Sequence, residues 1–211
     1  MTHLRIPRTR TANSNLKRDA KWCLDAMASA FSHAIAAGAI GAAFYRPGWP
    51  PRFWVLGAAC AILPDADVLG IPLGISFGSP LGHRGLSHSL LFAAAVATII
   101  VPLFFGRTPE AASRARGWLY VFLATASHGV LDALTNGGPG IAFFAPLDDT
   151  RYFLPWRPVV VSPIGMRPFF SEWGLRVIES ELIWIWFPSA ISAGLAVIIR
   201  RRIKTDRSET T

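Results

Sequence analysis

A long apolar segment begins with the sequence Gly82-His83-Arg84-Gly85-Leu86-Ser87-His88-Ser89. The apolar run continues to Phe105, so residues 86–105 are long enough to span a bilayer as a helix. Ionisable side chains inside hydrocarbon each cost about 3 kcal/mol or more, which makes them candidates for a functional site. The two histidines and the arginine therefore need polar partners from elsewhere in the chain.

Composition assigns the chain to the membrane class. Of its 211 residues, 52% are hydrophobic and only 16% are charged, and the mean hydropathy is +0.37. Such a composition is too apolar for an ordinary soluble domain. The net charge of +8 comes from Lys and Arg near the two ends and in one loop, which indicates topology signals rather than nucleic-acid binding. Cys23 and Cys60 show no CxxC spacing, so neither a disulfide nor a cysteine metal ligand is expected.

Four apolar segments have the length of a membrane-spanning helix, namely residues 26–45, 86–105, 118–134 and 182–199. A fifth apolar run, at 53–63, is shorter than the ~17–25 residues that a crossing requires. We expect this run to be re-entrant or buried against its neighbours. The predicted fold class is all-α, an integral membrane helical bundle of about four transmembrane helices plus that short helix.

The basic residues predict the domain organisation and the orientation. Residues 1–22 form a basic cytoplasmic tail, residues 23–200 a single membrane-embedded helical domain, and residues 201–211 a second basic cytoplasmic tail. Four spans place 14 of the 21 Lys and Arg residues on the side of both termini, whereas a fifth span at 53–63 would divide them 11 to 10. The positive-inside rule therefore favours four spans with both termini cytoplasmic. A loop as long as 136–175 is usually functional.

Two pairs of polar residues lie at spacings that suit a metal ion. His128 and Asp132 are four residues apart, so both project from one face of the third span. They can bind one cation, the carboxylate can orient the imidazole, or the pair can hold two helices together by a hydrogen bond. Asp65 and Asp67 follow Pro64, where they can bridge hard cations or cap the next helix. Either pair taken alone leaves these alternatives open.

The opening stretch adds two imidazoles and one guanidinium. On a single helix His83 and His88 would point about 140° apart, but the glycines beside them predict a bend that lets the side chains converge. Arg84 offers a fixed fork for an anionic oxygen such as a phosphate; alternatively, it forms a salt bridge with one of the two aspartates that follow Pro64. In the four-span topology these groups fall in or near the outer leaflet, and His33 of the first span can reach the same layer.

Three motifs carry a family resemblance: Leu63-Pro64-Asp65-x-Asp67, Gly82-His83-Arg84-Gly85-x-Ser87-His88-Ser89 and Ser127-His128-x-x-x-Asp132-x-x-Thr135-x-x-Gly138. With them the chain resembles the YdjM-like inner-membrane metal-dependent hydrolases of bacteria, from about residue 30 to about residue 185. Two further features fit that pattern, a histidine in the first apolar helix (His33) and Ser180-Glu181-Leu182 at the entry to the last. One departure is Val68, where family members often carry a histidine, so position 68 is not a ligand in this chain.

The leading functional hypothesis is therefore a membrane-bound, metal-dependent hydrolase. It has seven candidate metal ligands: His33, Asp65, Asp67, His83, His88, His128 and Asp132. Imidazoles favour zinc, with manganese as the second choice, and seven candidates suit either two ions or one ion with some of the seven in supporting positions. The metal would activate a water molecule, Arg84 would steady an anionic substrate, and Glu181 or an unligated aspartate would act as general base.

The depth of the cluster predicts a lipid or lipid-linked phosphoester as substrate and the lipid bilayer as partner. The resemblance implies a location in the bacterial inner membrane. The alternative function is a proton- or metal-translocating transporter that uses the same buried histidines and aspartates. A third hypothesis is a structural membrane protein, in which these polar groups only hold helices together.

Overall fold

The structure is a computed structural model that describes residues 2–4, 27–105, 111–163 and 169–209, and these residues are mostly helical. The α-helices are α1 (Ala30–Phe44), α2 (Arg52–Ile62), α3 (Leu90–Phe105), α4 (Ala111–Ala133), α5 (Glu172–Glu181) and α6 (Phe187–Glu209). Two 3₁₀ helices cover Leu63–Gly70 and Leu86–His88, and a π-helical turn, Leu182–Trp186, joins α5 to α6. Two short strands, β1 (Thr2–Leu4) and β2 (Arg151–Phe153), pair antiparallel.

The helices differ from the predicted spans at several ends. The span predicted at 86–105 is divided, because Ser89 adopts an extended conformation (ψ 157°) between the second 3₁₀ helix and α3. The span predicted at 118–134 is the second part of α4, which already begins at Ala111 within the predicted polar loop. The last helical segment starts at Glu172, where Ser171 caps α5 by accepting a hydrogen bond from the backbone N–H of Trp173.

The apolar run at 53–63 belongs to a longer helix than predicted. Helix α2 continues into the 3₁₀ helix Leu63–Gly70, where Pro64, which has no N–H to donate, lies in the first turn. The combined 19 residues, Arg52–Gly70, are long and apolar enough to cross a membrane, and so are the 32 residues Glu172–Ile203. Helices α1 and α3 are apolar but shorter, with 15 and 16 residues. The helix that contains residues 53–63 is therefore longer than its apolar run, and its length no longer excludes a crossing. The four-span bundle stays a prediction.

Small residues let α1, α2 and α4 approach closely around a buried core. The rings of Phe53 on α2 and Tyr120 on α4 stack with centroids 4.1 Å apart. A side chain at Gly57 would collide with the Tyr120 ring and hydroxyl, and one at Gly41 on α1 would press against the same ring. Close packing of this kind is typical of helices in membranes. It fixes the position of α4, which carries His128 and Asp132 in its last two turns.

The long loop after α4 packs against the segment that carries His83 and Arg84. Ala142 donates its backbone N–H to the carbonyl oxygen of Arg84 at 3.1 Å, and Leu90 donates to the carbonyl oxygen of Phe143 at 3.0 Å. Isolated bridges pair Ile141 with Tyr152 and Thr135 with Val159. The loop thus covers the start of α3 and the end of α4.

Candidate metal centre

The first two acidic side chains come from the 3₁₀ helix that extends α2. Asp65 and Asp67 are two residues apart on it, and their side chains are 11% and 7% exposed. In a 3₁₀ helix, which has three residues per turn, the side chains of residues i and i+2 are rotated by about 240° from one another about the helix axis. The two carboxylates therefore face different partners. Asp65 faces the histidines of the interior, whereas Asp67 lies against the His83 to His88 segment.

The segment with His83 and Arg84 is a tight bend, as predicted from its glycines. A side chain at Gly82 would collide with the carbonyl oxygens of Ser76 and Phe77, and one at Gly85 with the carbonyl oxygen of Pro80. Arg84 itself has a positive φ of 61°, which is uncommon outside glycine. The bend brings the rings of His83 and His88 to a centroid distance of 5.1 Å.

Asp67 holds both histidines of this bend by their Nδ1 atoms. Its Oδ1 lies 2.6 Å from His83 Nδ1, and its Oδ2 lies 3.3 Å from His88 Nδ1 and accepts a short hydrogen bond from the Ser87 hydroxyl. A carboxylate in this position fixes the ring orientation and the tautomer of a metal-binding histidine. The Nε2 atom of His88 is thereby left for the interior of the cluster.

His128 presents its Nε2 atom to the same point. Its Nδ1 lies 2.7 Å from the carbonyl oxygen of Ala61, and since a carbonyl oxygen only accepts, Nδ1 carries the proton. The Nε2 atoms of His128 and His88 are 3.0 Å apart inside a buried site. Two lone pairs at this distance repel one another unless a proton or a cation lies between them.

Two carboxylate oxygens complete a compact set of four atoms. Asp65 Oδ1 lies 3.2 Å from His128 Nε2 and 3.9 Å from His88 Nε2; Asp132 Oδ2 lies 3.7 Å and 3.5 Å from the same atoms. In a tetrahedral zinc site, ligands about 2.0–2.2 Å from the ion are about 3.3–3.6 Å from one another. Both oxygens of Asp65 and Oδ2 of Asp132 are buried without a hydrogen-bond partner among the described residues. These residues fit a divalent cation.

His33 adds a fifth group beside this set. Its ring stacks on that of His128 at a centroid distance of 3.7 Å, and its Nε2 lies 3.6 Å from Asp132 Oδ1. Neither ring nitrogen has a hydrogen-bond partner in the described part of the chain. By proximity, two overlapping groups can hold an ion: Asp65, His83, His88 and Asp132, or His33, His128 and Asp132. The shared Asp132 is compatible with one ion or with two.

Arg84 contacts Asp132 rather than the aspartates after Pro64. Its Nε lies 3.4 Å from Asp132 Oδ2, while its two terminal nitrogens donate to the carbonyl oxygen of Gly137 and the hydroxyl of Thr135, both at 2.9 Å. The side chain is fully buried, and burial lowers the pKa of its guanidinium. This geometry orients Asp132, and the substrate contact predicted for Arg84 stays a prediction.

Glu181 lies outside both groups and holds the start of α1. Its two carboxylate oxygens accept hydrogen bonds from the Ser29 backbone N–H at 2.6 Å and the Ser29 hydroxyl at 2.5 Å. Asp132 Oδ1 accepts from the neighbouring Ala28 N–H at 2.7 Å. Two carboxylates thus fix the residues that lead into α1, which carries His33 one turn later.

Arg151 is a buried residue that the sequence did not reveal. It donates to the carbonyl oxygens of His83, Arg84 and Gly140 from one nitrogen and to that of Ser79 from the other, at 3.1–3.3 Å. Burial lowers its pKa to about 10, so it stays charged at neutral pH. Nothing in the sequence separates it from the other loop arginines, because its partners are backbone atoms.

Comparison with known proteins assigns the family. The model of the family described as YdjM inner membrane protein matches residues 27–203. The chain is also 37% identical over 169 residues to inner membrane protein YbcI of Escherichia coli (strain K12). The aligned region covers 80% of this chain and 96% of that protein. No solved structure matches. These findings support a location in the bacterial inner membrane, and the chain belongs to the YdjM family of inner membrane proteins.

Proposed function

We propose that this protein is a membrane-embedded, metal-dependent hydrolase whose buried histidines and aspartates hold one or two divalent ions, zinc before manganese. The observation that carries the proposal is the pair of Nε2 atoms of His88 and His128, 3.0 Å apart and flanked by oxygens of Asp65 and Asp132 that accept no hydrogen bond from the described residues. Burying several acids and imidazoles without such an ion would leave their polar atoms unsatisfied, which is costly. A bound divalent cation supplies Lewis acidity that lets water lose a proton near neutral pH.

The chain's own residues have separate roles in this proposal. The set of four atoms described above, from His88, His128, Asp65 and Asp132, binds the ion. His33 and His83, which belong to the two overlapping groups, extend the set if a second ion is present. Asp67 orients the rings of His83 and His88, and Arg84 orients Asp132.

The sequence offers Glu181 or an unligated aspartate as general base, but we favour Asp65, which in this proposal also binds the ion. Both of its oxygens lack a hydrogen-bond partner among the described residues, so one can bind the ion while the other accepts a proton from water. Both oxygens of Glu181 already accept hydrogen bonds from Ser29. Glu181 therefore acts in this proposal as a positioning residue for α1.

The test is the metal content of the purified protein. Wild type is expected to contain about one or two equivalents of zinc or manganese by elemental mass spectrometry. The variants His88→Ala and His128→Ala are expected to lose it, while the matched control His3→Ala, which removes a histidine outside the cluster, retains it. A wild-type protein of full thermal stability without any metal would refute the proposal.

For the membrane topology we propose the four-span bundle, with residues 23–200 as one domain and both termini cytoplasmic. The 3₁₀ part of the Arg52–Gly70 stretch supports a re-entrant segment, because Asp67 lies 2.6 Å from His83 Nδ1 and Asp65 lies 3.2 Å from His128 Nε2, so that both carboxylates face the bundle instead of lipid. A lipid or lipid-linked phosphoester is the proposed substrate class.

Labelling of single cysteines tests the topology, after replacement of both native cysteines by serine. A membrane-impermeant maleimide applied to spheroplasts should label a cysteine at Asp149 and spare one at Thr211. The reverse pattern, or labelling of both, contradicts the proposed orientation.

A transporter remains a second candidate because the four histidines form an uninterrupted row. Ring centroids of His33 and His128, His128 and His88, and His88 and His83 lie 3.7, 4.6 and 5.1 Å apart. Rows of ionisable groups inside membranes serve as proton relays. Proton or divalent-ion flux into liposomes that is abolished by Asp132→Asn would favour transport, and absence of flux together with bound metal would favour hydrolysis.

A further inference from the structure

A cavity that shares no lining residue with the metal centre lies beside the first turns of α5. It has a volume of about 550 Å³ and is lined by Asn136, Val160, Glu172, Trp173 and Arg176. Its size lies in the range of small-molecule sites, about 300–1,000 Å³. None of these five residues belongs to the metal centre, so the proposed hydrolase leaves the cavity without an assigned ligand.

The cavity contains one acid and one base that do not neutralise each other. Glu172 and Arg176 are four residues apart on α5, so their side chains share one face of the helix. No ion pair within 4.0 Å involves either of them among the residues that the structure describes. Both side chains are exposed, which leaves a negative and a positive group available to a ligand that carries both charges.

The position of α5 indicates which environment supplies that ligand. Helix α5 begins the 32-residue stretch Glu172–Ile203, which is long and apolar enough to cross a membrane. The apolar span predicted at 182–199 begins directly after α5, so the polar turns of α5 lie on the water side of that span, at the boundary with the headgroup layer. Exposed aromatic residues at the same end, Phe170 and Trp173, are typical of this boundary. The Trp173 ring is fixed there, because its indole nitrogen donates to the carbonyl oxygen of Val161 at 3.0 Å.

We propose that this cavity binds the headgroup of a zwitterionic phospholipid from the surrounding bilayer. Arg176 pairs with the phosphate, for which a guanidinium fork is well suited, and Glu172 pairs with the ammonium group. A purely anionic headgroup would satisfy Arg176 but would be repelled by Glu172. The Trp173 ring lies beside the glycerol region, where an indole is most stable.

The proposal is tested with delipidated protein in detergent. The melting temperature is measured as phosphatidylethanolamine is added, and separately with phosphatidylglycerol and with water-soluble glycerophosphoethanolamine. Wild type is expected to be stabilised by phosphatidylethanolamine at concentrations about tenfold below those needed for phosphatidylglycerol. Arg176→Gln and Glu172→Gln are expected to lose this preference.

Two control variants remove the same charges elsewhere on the same helical segment. Glu179→Gln and Arg202→Gln should keep the wild-type preference for phosphatidylethanolamine. Equal stabilisation by both lipids, an unchanged preference in Arg176→Gln, or an equal effect of the soluble headgroup would overturn the proposal. If a variant is too unstable to titrate, lipid binding is measured by the quenching of Trp173 fluorescence by brominated phosphatidylethanolamine. The contribution of Trp173 is the difference between wild type and Trp173→Phe.

Metal content is measured on the same preparations. A wild-type protein that contains metal but shows no preference for phosphatidylethanolamine would refute the headgroup site and leave the metal centre intact. Loss of metal in wild type with retained lipid preference would refute only the proposed hydrolase.

Discussion

The substitution Asp67→Asn should weaken metal binding although Asp67 is not proposed to touch the ion. In the native chain each oxygen of Asp67 faces the Nδ1 atom of a different histidine, Oδ1 that of His83 at 2.6 Å and Oδ2 that of His88 at 3.3 Å. Asparagine has the same shape but only one oxygen, so one histidine must face an NH₂ group. The Nδ1 of that histidine then has to accept, which moves its proton to Nε2 and removes the lone pair that binds metal.

The expected loss is between about 10- and 100-fold in zinc affinity, equal to about 1.4–2.7 kcal/mol. Competition with a chromophoric zinc chelator near neutral pH measures it, and Asp149→Asn, which changes an exposed loop aspartate, serves as the matched control. Wild-type affinity in Asp67→Asn would refute the orienting role. Complete loss of metal, equal to that of His88→Ala, would instead make Asp67 a direct ligand.

Three further predictions concern the scaffold, and all are measured by thermal unfolding in detergent. Arg151→Lys should lower the melting temperature by about 4 °C or more and also weaken zinc binding, because one ammonium group cannot reach four carbonyl oxygens. An unchanged zinc affinity would restrict Arg151 to a structural role. Gly57→Ala should destabilise the folded protein by about 1–3 kcal/mol, because the added methyl group clashes with Tyr120. Gly38→Ala should have no such effect, because a side chain there meets no atom within 4 Å. Equal effects of the two substitutions would contradict the close packing of α2 on Tyr120. Tyr120→Phe should be neutral or stabilising, since the buried hydroxyl has no hydrogen-bond partner among the described residues, and a large loss of stability would reveal an unrecognised partner.

Helical class and part of the site follow from simple patterns in the sequence. The spacing of His128 and Asp132 placed them on one face of a helix, and the structure has both on α4, with Nε2 and Oδ2 3.7 Å apart. The glycines around His83 indicated a bend, which is present because any side chain at those positions would collide with backbone oxygens. Patterns of this kind are local, so they survive in a tertiary fold.

Other parts depend on contacts between distant residues and were not predictable. The 3₁₀ helix Leu63–Gly70 lengthens a short apolar run, and the two aspartates it carries face His83 and His128 from other elements of the chain. Glu181 bonds to Ser29, 152 residues away, and Arg151 bonds to four carbonyl oxygens. Every residue has a backbone carbonyl oxygen, whatever its side chain. A single sequence therefore cannot identify the residues that donate hydrogen bonds to such oxygens.

The most direct test of the metal centre is X-ray absorption at the edge of the metal that copurifies with the protein. We expect a shell of nitrogen and oxygen ligands at about 2.0–2.2 Å, together with outer-shell scattering from two or more imidazoles that decreases in His88→Ala. The proposed metal centre would be contradicted by the absence of metal, by a sulfur ligand from Cys60, or by a shell of water oxygens without imidazole scattering.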